Sequence, residues 1–281
     1  MGEFFYGWYL KCQSDTQTLA MIPAIHRTGN KYTCSIQIIT EKRAWTIFFP
    51  GELFLRTNRN IYIGENRFGK DGIRLHVENH QVHVTGELFF GRVWPLKYPI
   101  MGPFSLVPFM ECRHGVWSML HAVSGKLRVD GQEYVFRNAR GYWEGDSGHS
   151  FPRNYAWTQC FFTGGSLMLS VADIPIGGLR FTGVIGVVLW QGREYRFATY
   201  LGARVLHIRN KSISVQQGGL KLETRLLKEN GCPLRAPKGG EMTRMIHESA
   251  TCHALYRFTK GKRTLFTFRT GQASFEYEYP Y

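Results

Sequence analysis

No two of the six cysteines stand at a metal-ligand or redox spacing. Cys12, Cys34, Cys112, Cys160, Cys232 and Cys252 are scattered along the chain without a CxxC pair. That pattern excludes a zinc module and a small disulfide framework, so the thiols read as reduced. Membrane-length apolar runs are missing too: the stretch from Val184 to Trp190, broken by Gly186, is far too short to cross a bilayer. The opening MGEFFYGWYLKC lacks the basic start and apolar core of a secretory signal, and Tyr6 stands where a myristoylation signal needs Ser or Thr. A cytoplasmic protein is therefore expected. A glycine-rich phosphate loop and a nucleophile elbow are also absent, since the glycine pairs beginning at Gly164, Gly177, Gly218 and Gly239 fall in turns. The expectation is a chain without cofactor or metal.

What the chain has in excess is positive charge. Thirty-five basic residues against 21 acidic ones leave a formal net charge of +14, which favours an anionic partner. Nucleic acid, a membrane surface and an acidic ligand all qualify. The basic residues are dispersed, however, the densest group being Lys260, Lys262 and Arg263 around one glycine. No zinc-finger, helix-turn-helix or RNA-binding signature accompanies them, which argues against nucleic acid and leaves contact with a membrane surface open. Oligomeric state is not legible.

Turn dipeptides between alternating apolar and polar residues recur along most of the 281 positions, the mark of antiparallel β structure. In IRLHVENHQVHVTGEL a two-residue turn at Asn79 and His80 would set Val77 across from Val82, Leu75 across from Val84 and His76 across from His83. In KLRVDGQEYVF the turn at Asp130 and Gly131 sets Arg128 across from Glu133 and Leu127 across from Tyr134. In GVIGVVLWQGREYRFATY the turn at Gln191 and Gly192 sets Val188 across from Tyr195. The closing SFEYEYPY alternates Phe275, Tyr277 and Tyr279 with Glu276 and Glu278, as a half-buried strand does. One helix is expected, in EMTRMIHESATCHALYRF, where Met242, Met245, Ile246, Ala250 and His253 approach helical spacing after the breaker at Pro237 to Gly240. The four prolines between Trp94 and Met110 forbid a regular strand there, because proline lacks the ladder donor. They suggest a packed connector between a first domain, 1–110, and a second, 111–281.

Chemistry concentrates in GYWEGDSGHSFPRNYAWTQC, from Gly141 to Cys160. Glu144 and Asp146 are two apart, so in a strand both point to one face and Trp143 to the other. A carboxyl among bulky aromatic rings has its charged form disfavoured by desolvation, which makes it a candidate proton donor. The bland alternative for Glu144 is an ion pair with Arg140 or Arg153, and for the tryptophans it is ordinary core packing. His76 and His83 are too few for a metal site, which needs three or four ligands. His114 and His121, seven apart, fall on opposite faces of a strand and give no metal signal.

Two segments carry a family resemblance. The opening FYGWYLKCQSDTQTLAMIPAI and the Gly141 to Cys160 segment resemble the tocopherol cyclases, and GGEMTRMIHESATCHALYRF with the closing strand is similar as well. The carotenoid hydratases are more distantly similar. Phe5, Gly7, Trp8, Tyr9, Glu144, Gly148, Phe151, Pro152, Trp157 and Gln159 stand at matching positions. Ser147 stands where the family pattern carries a tryptophan, and Asp146 where an amide is usual, a departure that bears on the substrate. The resemblance implies an all-β protein of two lipocalin-like antiparallel barrels, with one or two short helices. It also implies a hydrophobic, prenylated or aromatic, small-molecule ligand.

Chromanol-type ring closure adds a proton to an alkene and lets a phenol oxygen capture the cation, so it needs an acid, aromatic faces and exclusion of water. Glu144 and Asp146 are the candidate catalytic acids. Trp8, Trp143, His149, Arg153, Tyr155, Trp157 and Gln159 are the candidate substrate-binding residues. Two readings stay open: an acid-type cyclase or isomerase, and a non-catalytic carrier of a lipophilic, anionic or neutral, ligand.

Overall fold

The computed structural model describes residues 3–108, 110–176 and 179–280. Most of them lie in antiparallel strands, as the turn dipeptides require. Eleven strands form one sheet and ten form another. In the first, the opening strand Phe4–Gln13 pairs on one side with Thr18–Thr28 and on the other with Gln132–Gly148, whose second neighbour is Cys112–Val129. Short strands extend both flanks, ending at Ala44–Pro50 and Phe54–Arg56. In the second, Tyr155–Phe162 runs between Gly165–Ile176 and Arg263–Tyr277, and the edges are Arg193–Ala198 and Arg204–Arg209.

Each sheet closes over its own apolar core, the first around residues such as Leu10, Ile36, Phe68 and Leu127, the second around Leu169, Val188, Tyr256 and Phe275. Burying each such side chain stabilises by about 1.5–3 kcal/mol, so the inward set of every strand fixes its register. The chain divides into two compact units: Met1–Lys97, Cys112–Phe151 and Leu234–Met245 in one; Tyr98–Glu111, Pro152–Pro233 and Ile246–Tyr281 in the other. A boundary after residue 110 would cut Gln132–Gly148 away from the opening strand it pairs with, and leave that strand an open edge.

Two of the three hairpins have the expected register: Arg128 faces Glu133 and Leu127 faces Tyr134, and Val188 faces Tyr195. The third differs. The Asn79 side chain accepts from the amides of Gln81 and Val82, closing a longer loop, and Val77 therefore faces Val84 while Glu78 faces His83. His76 faces Thr85, so the two histidines are not partners. The expected helix is instead the strand Glu241–Lys260. Met242, Ile246, Ala250, Cys252, Ala254, Tyr256 and Phe258 are buried at even positions, whereas Met245 is exposed, and that period of two decides against a helix. Helical turns among the described residues are three short 3-10 turns, one of them, Gly102–Leu106, inside the proline-rich stretch. No helix is long and apolar enough to cross a membrane. Gly177, expected in a turn, lies outside the described residues. None of the six cysteines is in a disulfide.

Three indoles pack in the first core where the chain has glycine. Trp8 and Trp143 meet edge to face at 4.8 Å, and Trp117 stacks on Trp143 at 5.6 Å. A Cβ on Gly145 would stand 2.4 Å from the Gly7 carbonyl oxygen, 2.8 Å from the Trp117 ring and 2.9 Å from the Trp8 ring. Gly145→Ala is accordingly expected to cost about 1–3 kcal/mol of stability. A urea midpoint equal to that of the wild type would show that the indoles shift without strain.

Candidate functional site

The outward face of the first sheet carries a buried polar cluster. Tyr142, Glu144 and Asp146 alternate along Gln132–Gly148, on the side away from Trp143 and the core. The neighbouring strand places His114 directly across from Asp146 and Val116 across from Glu144. On the other side the opening strand sets Tyr9 across from Glu144 and Lys11 across from Tyr142. Lys11 and Tyr142 are wholly buried and Glu144 is 4% exposed.

His114 joins the two carboxyls. Its Nδ1 lies 2.9 Å from Asp146 Oδ1 and its Nε2 3.1 Å from Glu144 Oε2. The Tyr142 hydroxyl donates to Glu144 Oε2 at 2.5 Å, and Cys112 Sγ reaches Asp146 Oδ1 at 3.4 Å. Burial by itself would lower the basicity of His114, but the Glu144 and Asp146 carboxylates outweigh it and hold the imidazole well above its ordinary value. Burial, with the Glu144 carboxylate adding to it, pushes the Tyr142 hydroxyl well above its own range and keeps it a donor. The cluster is thus a proton store: one cation and one phenol aimed at two carboxylates. Nδ1 is hydrogen-bonded to Asp146, whereas Nε2 lies close to Glu144 Oε2 without hydrogen-bond geometry. Among the described residues no cluster of three or more His, Cys, Asp or Glu side chains is arranged to hold a metal ion. His121 on the same strand is the contrast: it lies over Gly141 beside Phe90, and burial without a carboxylate pushes it down to about 4.

The sequence candidates divide among four places. Glu144 and Asp146 belong to the cluster just described. Trp8 and Trp143 point into the first core on the opposite face of the sheet, so they do not offer their rings to a cation formed at Glu144. His149 is half-buried and its carbonyl accepts from the Gly240 amide, while Arg153 is exposed. Tyr155, Trp157 and Gln159 share one face of Tyr155–Phe162 in the second sheet, away from the core side of Ala156 and Cys160. There the Tyr155 hydroxyl donates to Glu276, which the register sets across from Trp157. Arg140, offered as a partner for Glu144, reaches Asp15.

Sequence reasoning missed His114, Tyr142 and Glu276. Counting back from the turn at Asp130 and Gly131 brings His114 across from Ser147, one residue off, because register shifts between Val116 and Gly125 displace the ladder. The turn was the available signal, and the bulges hid it. Glu276 reads as the polar half of an alternating strand, yet it is 8% exposed.

Over 164 residues, 53% of its length, the chain is 28% identical to the chloroplastic tocopherol cyclase of Zea mays. Over 123 residues, 40% of this chain, it is 32% identical to the "Probable tocopherol cyclase, chloroplastic" of Oryza sativa subsp. japonica. The chain is similar in sequence to the tocopherol cyclases. The matches span 34% and 26% of those relatives' own lengths. No family model matches. Among solved structures, kievitone hydratase from Nectria haematococca aligns at 9% identity over 98% of this chain and 89% of its own, with a TM-score of 0.58. A protein assigned as AttH from Nitrosomonas europaea aligns at 10% identity over 100% and 93%, with a TM-score of 0.57. CghA with Sch210972 aligns at 10% identity over 98% and 88%, with a TM-score of 0.61. These likenesses show the fold: all-β and lipocalin-like, without the helix expected at Glu241.

The cluster makes a pH prediction. A group whose basicity is raised on folding adds stability that is whole below its unfolded value, near 6.5, and is lost as pH rises through the higher folded value. Stability of the wild type should therefore fall as the pH climbs above neutrality. His114→Gln should remove that slope and lower stability near pH 7 by roughly 3 kcal/mol, because the buried Glu144 and the half-buried Asp146 lose their cation. Denaturant midpoints measured from pH 6 to 10 check it, and parallel profiles for the two proteins would contradict it.

Proposed function

We propose that the protein is an acid-type, tocopherol-cyclase-like enzyme acting on a hydrophobic, prenylated aromatic molecule, with Glu144, His114 and Asp146 as its proton relay. The observation that carries this reading is the nearly buried imidazole held between two carboxyls, an arrangement that keeps one transferable proton among three groups. In ring closure, a proton from the His114 and Glu144 pair adds to one alkene carbon and the tertiary cation forms at the other. The phenol oxygen then bonds to that cation and its proton returns to the pair. Nothing is oxidised or reduced, and substrate and product are isomers. Tyr142, donating to Glu144, orients the carboxyl, and Tyr9 and Tyr142 are the rings on the acid's own face.

Sequence similarity to tocopherol cyclases supports the substrate class, and the hydratase among the fold neighbours supports the same first step, since hydration and ring closure both begin by protonating a double bond. The dispersed positive charge supports a small-molecule rather than a nucleic-acid partner. The reduced cysteines support an intracellular, cytoplasmic setting.

The test is incubation with prenylated hydroquinones in heavy water. Wild-type protein should yield a cyclised product carrying one carbon-bound deuterium. Glu144→Gln keeps the shape and removes the acid, so turnover should fall at least a hundredfold with affinity changed by no more than a few-fold. Tight binding by the wild type with no product would replace this reading with that of a carrier.

A further inference from the structure

The second sheet holds a polar side chain that its own fold does not satisfy. Gln159 is 0% exposed, and neither its amide oxygen nor its amide nitrogen has a hydrogen-bond partner. Burying an amide with both ends unpaired destabilises the fold, and a leucine of similar size would carry no such cost. It stands on the outward face of Tyr155–Phe162, not in the second core. Trp157 lies two residues away on the same face, and the buried Tyr155 and Glu276 pair completes the row: Trp157 is the register partner of Glu276, and Gln159 of Ser274.

We propose that Gln159, beside Trp157 and the Tyr155 and Glu276 pair, is a ligand subsite that recognises a phenolic hydroxyl. An amide with both ends unpaired presents an acceptor and two donors, which match a group that both donates and accepts. Trp157 offers a flat apolar face next to it, as an aromatic ring requires. A phenol has both properties. The subsite rests on the proposed substrate class only for the ring that bears the hydroxyl, and its residues belong to the second unit.

The substitution Gln159→Leu tests it with two readings that a structural role would not give together. Removal of the unpaired amide should raise the melting temperature by a few degrees. At the same time the protein should lose discrimination between a prenylated hydroquinone and its dimethyl ether, a pair that differs in the phenolic donors. The wild type should prefer the hydroquinone by at least tenfold in calorimetric or fluorescence titration, and Gln159→Leu should bind the two within about twofold. A lower melting temperature would mean that the amide is satisfied within the fold, and the proposal fails. It also fails if the wild type binds neither probe or does not distinguish them, or if the variant keeps the preference. Glu144→Gln, which removes turnover if the relay reading holds, should keep the wild-type preference, so failure of one reading is distinguishable from failure of the other.

Discussion

One cation between two carboxylates is the constraint on which the first unit turns. Residues two apart along a strand stand about 6.6 Å apart on one face, so the buried Glu144 and the half-buried Asp146 would confront each other as like charges. A single imidazole has two nitrogens spaced to bridge them, and His114 does so. Its arrival across from Asp146 depends on the register shifts in Cys112–Val129. Those irregularities turn a plain hairpin into a holder for a proton.

The two faces of the same strand do different work. Inward, Gly145 makes room for the Trp8, Trp117 and Trp143 rings, which fill the core and fix the strand's depth. Outward, Tyr142 and Glu144 are buried and Asp146 is half-buried, none of them part of that core. The second sheet repeats the logic: Ala156 and Cys160 pack inward, while Tyr155, Trp157 and Gln159 are buried on the outward face with Glu276. In both sheets the polar chemistry sits where alternation sends the residues that the core rejects.

The fold was largely legible in the sequence because two-residue turns and period-two alternation are local signals. Asp130 with Gly131 and Gln191 with Gly192 each set a register that the ladder keeps. Asn79 misled because its side chain caps a longer loop, and the Glu241 run misled because Met245 and His253 completed a helical spacing, although every second residue from Ala250 to Phe258 is buried. Half of the site was legible too: alternation puts Glu144 and Asp146 on one face and Trp143 on the other. The remainder was not, because His114 and Glu276 acquire meaning only through partners on other strands, and bulges erase the count that would have found them. Trp8 and Trp143 looked like ligand contacts by chemistry alone, while their place in the core follows from the curl of the sheet.

The account stands on the charge of one ring. Nitrogen-15 NMR of the protein labelled at histidine reads both ring nitrogens of His114 directly at neutral pH. Two protonated nitrogens are expected for an imidazolium between Glu144 and Asp146. A single protonated nitrogen at pH 7, the signature of neutral imidazole, would contradict the account.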